Sequence, residues 1–315
     1  MGKLRNAPMR GLLYVVAGIF CMSVMDAAGK WLTAGYPLSE IIFLGRLPVP
    51  LFAIALALMN GGIYTLRTRR FGLHLIRCLA SAATMVTFFA SLRLLPLADT
   101  VAITFVSPLL MSALSVPILG ERVGPRRWTA IAIGFIGVLV ILQPSGTGFG
   151  VGPALALTAA LTYALFNNLS RLTSGTEPSH TQLFWVSVMI LIGSGAVVPF
   201  QWVQPQGRDL LAFVVFALAS TVGQFLMIQG LRYGEVSLLA SMEYSALIWA
   251  TLFGFMFWNQ LPTPTVVVGA VVIAASSFYI VQREARLARR LDPRRPAPPR
   301  LDRINRSPQL PSDGI

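Results

Sequence analysis

Charge is what this sequence has least of. Only 12% of its 315 residues are Asp, Glu, Lys or Arg, about half the usual soluble share. Against that, 55% are hydrophobic and the mean hydropathy is +0.69. The shortage excludes a soluble globule, because too little polar sequence is left to cover the apolar stretches. The charge present clusters between apolar blocks of about 20 residues, enough to cross a hydrocarbon core of about 30 Å. Histidine and cysteine are scarce too. His74 and His180 stand alone near the ends of apolar blocks, and Cys21 and Cys78 lie inside them without metal-ligand spacing. Two free thiols are expected, with no metal centre and no cofactor. No Walker A sequence, HExxH or GxSxG occurs. ATP-driven transport by this chain alone, and zinc or serine hydrolysis, therefore have no support.

Ten apolar blocks can be drawn, at 11–33, 38–59, 72–93, 97–118, 128–143, 149–171, 180–200, 209–231, 235–258 and 264–282. Glycine and proline punctuate the short connections, as in AGYP, SGTEPSH, QPQG and LPTP, so neighbouring spans run antiparallel. The expected fold is an all-α polytopic membrane protein with ten transmembrane helices. The opening MGKLRNAPMRGLLYVVAGIF is basic and then apolar, like a leader. It has no clean small-x-small cleavage site and its apolar run continues past Asp26, so it reads as the first span.

The net charge of +13 would suit nucleic acid if it were spread over a surface. It is not: nine of the 25 Lys and Arg lie in the last 33 residues. Lys3, Arg5 and Arg10 precede span one; Arg67, Arg69 and Arg70 follow span two; Arg122, Arg126 and Arg127 follow span four. Ten crossings put all of these on one side, leaving Arg208 and Arg93 for the other. Cationic loops are retained in the cytoplasm. That predicts an inner-membrane protein with both termini cytoplasmic and no nucleic-acid partner.

The sequence repeats. GERVGPRRW at Gly120–Trp128 and NQLPTPTVV at Asn259–Val267 coincide at a shift of 139 residues, which brings Leu92 onto Leu231, Glu121 onto Gln260 and Ile141 onto Ile280. The earlier part of each half aligns at a shift of 141, with Asp26 on Asn167, Lys30 on Arg171 and Pro37 on Pro178. A unit of five spans enters the membrane upside down the second time. A loop that is cytoplasmic in the first copy then becomes external in the second and sheds its charge. Two inverted five-helix repeats follow, at 11–143 and 149–282, flanked by an N-terminus at 1–10 and a tail at 283–315. The tail has nine Arg, four acids and six Pro. It cannot bury a core and is expected to be disordered, with its first cations near enough to bind anionic lipid. Inverted repeats allow inward-open and outward-open states to exchange shape around one central site.

Ionisable groups in hydrocarbon cost about 2.5 kcal/mol or more, so those at depth are the site candidates. Asp26 and Lys30, at i and i+4, share a helix face, although Lys30 is close enough to the outer end to snorkel. Asp26 lies about 10 Å below that end, and Arg46 about 12 Å below the start of span two. An ion pair between them is expected, either structural or shared with substrate. Glu40, near the outer edge, suits a gate or the surface. Gln224 and Glu243 lie about 10 and 12 Å in from the inner ends of spans eight and nine. Glu243 could hold a coupling proton, meet a cationic group on substrate, or pack as a neutral acid. Tyr163, Asn167 and Arg171 repeat the stripe of Met22, Asp26 and Lys30 and should face the same axis. Tyr244 and Trp249 add aromatic surface beside Glu243, for substrate or for packing. Arg77 is expected to snorkel. Ala130-x-x-x-Gly134 and Ala270-x-x-x-Ala274 bring helices close, within the chain or, more weakly, in a homodimer.

With these residues in view, the chain resembles tandem EamA-type domains of the drug/metabolite transporter superfamily. The segment RLLPLADTVAITFVSPLLMSALSVPILGERVGPRRWTAIAIGFIGVLVILQP (Arg93–Pro144) is similar to the second half of such a repeat. EYSALIWATLFGFMFWNQ (Glu243–Gln260) is a weaker counterpart, with Asn259-Gln260 in place of the usual Gly-Glu. The resemblance covers about residues 8–283. DAAGKWLTAGYPLSEIIFLGRL together with LPLADT looks most like the branch holding S-adenosylmethionine and riboflavin uptake proteins. The resemblance implies a secondary transporter of a small organic metabolite, with a cavity lined by both repeats and open to one side at a time. Amino-acid or drug export is the alternative within the superfamily. Other classes are a membrane-embedded enzyme acting on lipid and a non-transporting scaffold whose basic tail holds a partner.

Overall fold

The computed structural model describes residues 7–68, 70–121, 124–143, 150–174, 176–233 and 242–291. In chain order the helices are α1 (Ala7–Leu32), α2 (Leu38–Arg46), α3 (Pro48–Met59), α4 (Phe71–Leu94), α5 (Leu97–Thr104), α6 (Ser107–Leu119), α7 (Pro125–Leu142), α8 (Val151–Ser174), α9 (Ser179–Gln201), α10 (Gly207–Tyr233), α11 (Ser245–Trp258) and α12 (Pro264–Leu291). Among the described residues, seven segments are long and apolar enough to cross a membrane, and Ser245–Trp258 and Pro264–Ile280 add shorter apolar helices. The remaining long helix, α8, carries Thr158, Thr162, Asn167, Asn168 and Ser170, which lower its hydropathy.

Two spans are broken. Pro48 has no N–H to return to the Leu44 carbonyl, and α2 gives way to α3 at Leu47. Pro108 removes the bond to the Thr104 carbonyl, and α5 gives way to α6 across Phe105–Val106. At the place that a shift of 139 makes equivalent, Glu243 and Tyr244 form a turn before α11. Residues 235–241, at the start of the expected ninth span, lie outside the described residues. Another difference is at the C-terminus: α12 continues to Leu291, so 283–291, expected to be disordered, is helical. The rest of the tail lies outside the described residues.

Helix packing follows the repeat. α1 lies on α10 and its counterpart α8 lies on α4; α1 meets α11, and α8 meets α5 and α6. The equivalent pairs α2/α3 with α9, α7 with α12, and α5 with α11 contact each other directly. This is the pattern of a pseudo-two-fold axis that exchanges the halves. Since five crossings separate equivalent helices, the second repeat is inverted.

The α7–α12 seam is the tightest. A Cβ on Gly137 would lie 2.8 Å from the Gly269 carbonyl oxygen, and one on Gly269 would lie 2.5 Å from the Gly137 carbonyl oxygen. Ala130 and Ala270 are buried in the same core, so these small residues close a contact inside the chain. Gly269→Val is expected to lose about 1–3 kcal/mol by overpacking. A lower thermal unfolding temperature in detergent would show it; an unchanged one would mean the seam is looser than described.

Candidate functional site

A cavity lies in the middle of the spans, as two adjoining lobes. One, of ≈ 310 Å³, is walled by Asp26, Ser23, Thr104, Ser107, Tyr163 and Glu243 among others. The other, of ≈ 530 Å³, is walled by Arg46, Arg77, Asn167, Gln182, Ser187 and Gln224 among others. Met22, Met25, Thr84, Phe88, Tyr163 and Met227 line both. Tyr163 is 43% accessible although it is central in α8, because the surface it presents is the cavity wall. The repeat operates here residue by residue. Met22 and Tyr163, Asp26 and Asn167, and Arg46 and Ser187 are equivalent at a shift of 141, and Thr104 and Glu243 at 139; all of them line the cavity. In each charged case the partner repeat supplies a neutral residue.

The expected Asp26–Arg46 ion pair is not made. Among the described residues the ion pairs are elsewhere, and Arg46 Nη2 points to the thioether of Met85 at 3.2 Å. The two side chains come from adjacent spans but open into different lobes, so an equal depth by residue count does not bring them together.

Lys30 does not share Asp26's surroundings. Its Nζ donates to the carbonyl oxygens of Leu92 (3.0 Å) and Leu95 (2.5 Å) at the end of α4, 5.5 Å from the Trp258 ring. Pro96 cannot donate to the Leu92 carbonyl, and Lys30 takes that place, with its charge at the negative end of the helix. Lys30→Met should therefore destabilise by about 1–3 kcal/mol through the stranded carbonyls, with Lys30→Arg intermediate. An unfolding temperature equal to wild type for Lys30→Met would contradict the role.

Other candidates also fall outside the cavity. Glu40 is fully buried and its Oε2 accepts from the Val203 N–H at 3.0 Å. Arg171, the equivalent of Lys30, donates to Glu121 at 3.1 Å near the end of α8. Tyr244 packs edge-on against Phe105; Trp249 packs edge-on against Phe20 and stacks with Phe253. Arg77, by contrast, is part of the cavity wall and does not snorkel: it is 2% exposed, lies over the Phe166 ring at 5.4 Å and donates to Ser170 at 3.1 Å.

Polar contacts join the repeats at both ends of the bundle, and sequence reading missed most of them. At the end away from the termini, Asp209 accepts from Tyr36 Oη and Trp31 Nε1, each at 3.0 Å. Tyr36 Oη also accepts from Gln206 N at 3.2 Å, and Arg93 donates to the Tyr36 carbonyl. At the terminus-bearing end, Glu177 accepts from Thr68 Oγ1 at 2.5 Å and meets His74 Nε2 at 2.5 Å. Arg77 Nη1 lies 3.0 Å from His74 Nδ1. Arginine can only donate, so Nδ1 accepts and Nε2 carries the proton towards Glu177. These two latches are equivalents: at a shift of 141, Tyr36 falls on Glu177 and Thr68 on Asp209. That arithmetic was the available signal, hidden because the paired residue types differ.

The ends are sealed differently. Away from the termini, Phe89 and Phe216, both buried with centroids 5.4 Å apart, lie in the core that separates the cavity from an outer vestibule of ≈ 870 Å³ beside Lys30, Tyr36 and Gln260. The Arg46 lobe instead reaches Ser179 and Gln182 at the start of α9, beside the Glu177 latch.

Inverted five-helix units around one cavity, with equivalent contacts at each end, define a polytopic membrane protein built from tandem repeats. The EamA-like transporter family model matches residues 9–143 and 150–282, and the chain belongs to that family, one of transporters rather than enzymes. It is 26% identical over 283 residues to a riboflavin transporter of Rhizobium johnstonii, covering 89% of this chain and 93% of that protein. It is 22% identical over 280 residues to an S-adenosylmethionine uptake transporter of Rickettsia prowazekii (88% and 94%). A pseudopaline exporter of Pseudomonas aeruginosa is 23% identical over 275 residues (86% and 95%). One solved crystal structure shares the fold at a TM-score of 0.62 and 21% identity, covering 90% of this chain and 99% of that one.

Proposed function

We propose that this chain is a secondary, non-ATP transporter of a bacterial inner membrane that moves a small organic metabolite by alternating access. The observation that carries the reading is the cavity whose walls are equivalent residues of both repeats, Asp26 with Asn167 and Arg46 with Ser187, between equivalent latches. Opening the Thr68–Glu177 latch would admit cargo from the terminus-bearing side. Opening the Tyr36–Asp209 latch and parting Phe89 from Phe216 would admit it from the other. Arg67, Arg70, Arg126 and Arg127 lie at the terminus-bearing end with the basic tail, which supports cytoplasmic termini. Riboflavin-like or S-adenosylmethionine-like cargo comes first, on the names of relatives, a riboflavin transporter and an S-adenosylmethionine uptake transporter. Export is the second reading, favoured by the relative named as an exporter. The test is transport by purified protein in proteoliposomes, supplied with a defined metabolite mixture and read by mass spectrometry of the lumen. Retention of at least one compound above empty liposomes supports the reading; a lumen identical to the control removes it.

A further inference from the structure

We propose that the cargo carries a positive and a negative charge at once, its cationic group against Asp26 and Glu243 and its acidic group on Arg46. The proposal rests on the transporter reading and names the substrate class of that cavity. The two lobes differ in sign: Asp26 and Glu243 line one and Arg46 lines the other, while Met22, Thr84 and Tyr163 line both. The opposite charges do not neutralise each other. Among the described residues no ion pair links them, and the acceptor that Arg46 meets there is the soft thioether of Met85. Gln224 Oε1, on the Arg46 lobe, is buried without a hydrogen-bond partner.

Charges held in a low-dielectric interior without partners are costly, and a ligand that supplies the counter-charges relieves the cost. A neutral ligand would leave both signs unanswered, and a singly charged one would leave half. The fold itself does not require these charges. The equivalent positions Asn167, Ser187 and Thr104 build the same walls without them. A molecule with an ammonium or sulfonium centre at one end and a carboxylate at the other answers both lobes. The lobes are of a size usual for such ligands.

The test uses wild-type proteoliposomes and one equimolar mixture of four charge classes. Amino acids and S-adenosylmethionine carry both signs, polyamines only positive charge, dicarboxylates only negative charge, and riboflavin and nucleosides none. The expected result is retention of compounds with both charges. In Asp26→Asn and Arg46→Gln that retention should fall by about tenfold or more. Residual uptake should turn towards dicarboxylates in the first variant and polyamines in the second. Unfolding temperatures of both variants separate loss of binding from loss of fold, and the wild-type arm decides the question without them. Preferential retention of riboflavin, nucleosides or single-sign compounds overturns the proposal and leaves the transporter reading standing. Uptake of dicarboxylates driven only by an inward proton gradient also overturns it, since the carboxylates would then carry protons. Retention of nothing above empty liposomes removes the transporter reading and the proposal with it.

Discussion

Cysteines at positions 65 and 180, joined by a short bifunctional thiol reagent in a chain whose Cys21 and Cys78 are replaced by Ala, should reduce transport to the level of empty liposomes. Cleaving the link should restore it. Thr65 Oγ1 and His180 Nε2 meet at 2.9 Å between the segment after α3 and the start of α9, beside the Thr68–Glu177 latch and the end of the Arg46 lobe. A cavity that must open at this end in every cycle cannot do so through a covalent tie. Treatment of either single-cysteine chain should leave its transport unchanged. Continued transport by fully cross-linked protein would mean that cargo leaves by another route and that this latch is only a structural contact.

Glu177→Ala should be the most destabilising single substitution at either end. Glu177 faces His74, which is fully buried, and Arg77, which is 2% exposed. Removing the carboxylate leaves the guanidinium beside an imidazole whose N–H has lost its acceptor. Breaking one side of a buried charged network typically costs about 3–5 kcal/mol. Glu177→Gln retains one oxygen, enough to accept from His74, while its amide NH2 can donate to the Thr68 hydroxyl; it should cost less, and Thr68→Val, which removes one hydrogen bond from a neutral hydroxyl, less again at about 0.5–1.5 kcal/mol. Thermal unfolding in detergent measures all three. A loss for Glu177→Ala no larger than that for Thr68→Val would show that the network around His74 carries no buried charge.

Much of this fold is legible in the sequence because a bilayer imposes length and polarity on each helix separately. Among the described residues the apolar blocks fall on helices or broken helix pairs, and the shift of 141 that brings Asp26 onto Asn167 brings them to one cavity. Depth along a helix is also legible, since it is only a count of residues at a fixed rise. Direction around the axis is not. Asp26 and Lys30 share a face by spacing, yet one opens to the cavity and the other crosses to α4, because Pro96 leaves a carbonyl unpaired there. Arg46 lines the cavity, but the group its guanidinium meets is the thioether of Met85 rather than Asp26. His74 and Arg77 looked like isolated residues near a span end because Glu177 is about a hundred positions away in sequence, and only the helix pairing of α4 with α8 brings them together. The helix breaks split in the same way. Those at Pro48 and Pro108 have a chemical cause visible in the sequence, whereas the turn at Glu243–Tyr244 has no proline to announce it.

The central claim is that the two ends open in alternation, and it is tested most directly by distances between pairs of spin labels in the bilayer. One pair spans Gly35 and Gln204 at one end, and the other spans Tyr64 and Thr176 at the other. Asp209→Ala removes the acceptor of Tyr36 and Trp31, and Glu177→Ala removes the acceptor of Thr68 and His74. The account predicts that Asp209→Ala lengthens the first distance while the second stays at its short value, and that Glu177→Ala does the reverse. Both distances lengthening together in either variant, or neither changing in both, would contradict it.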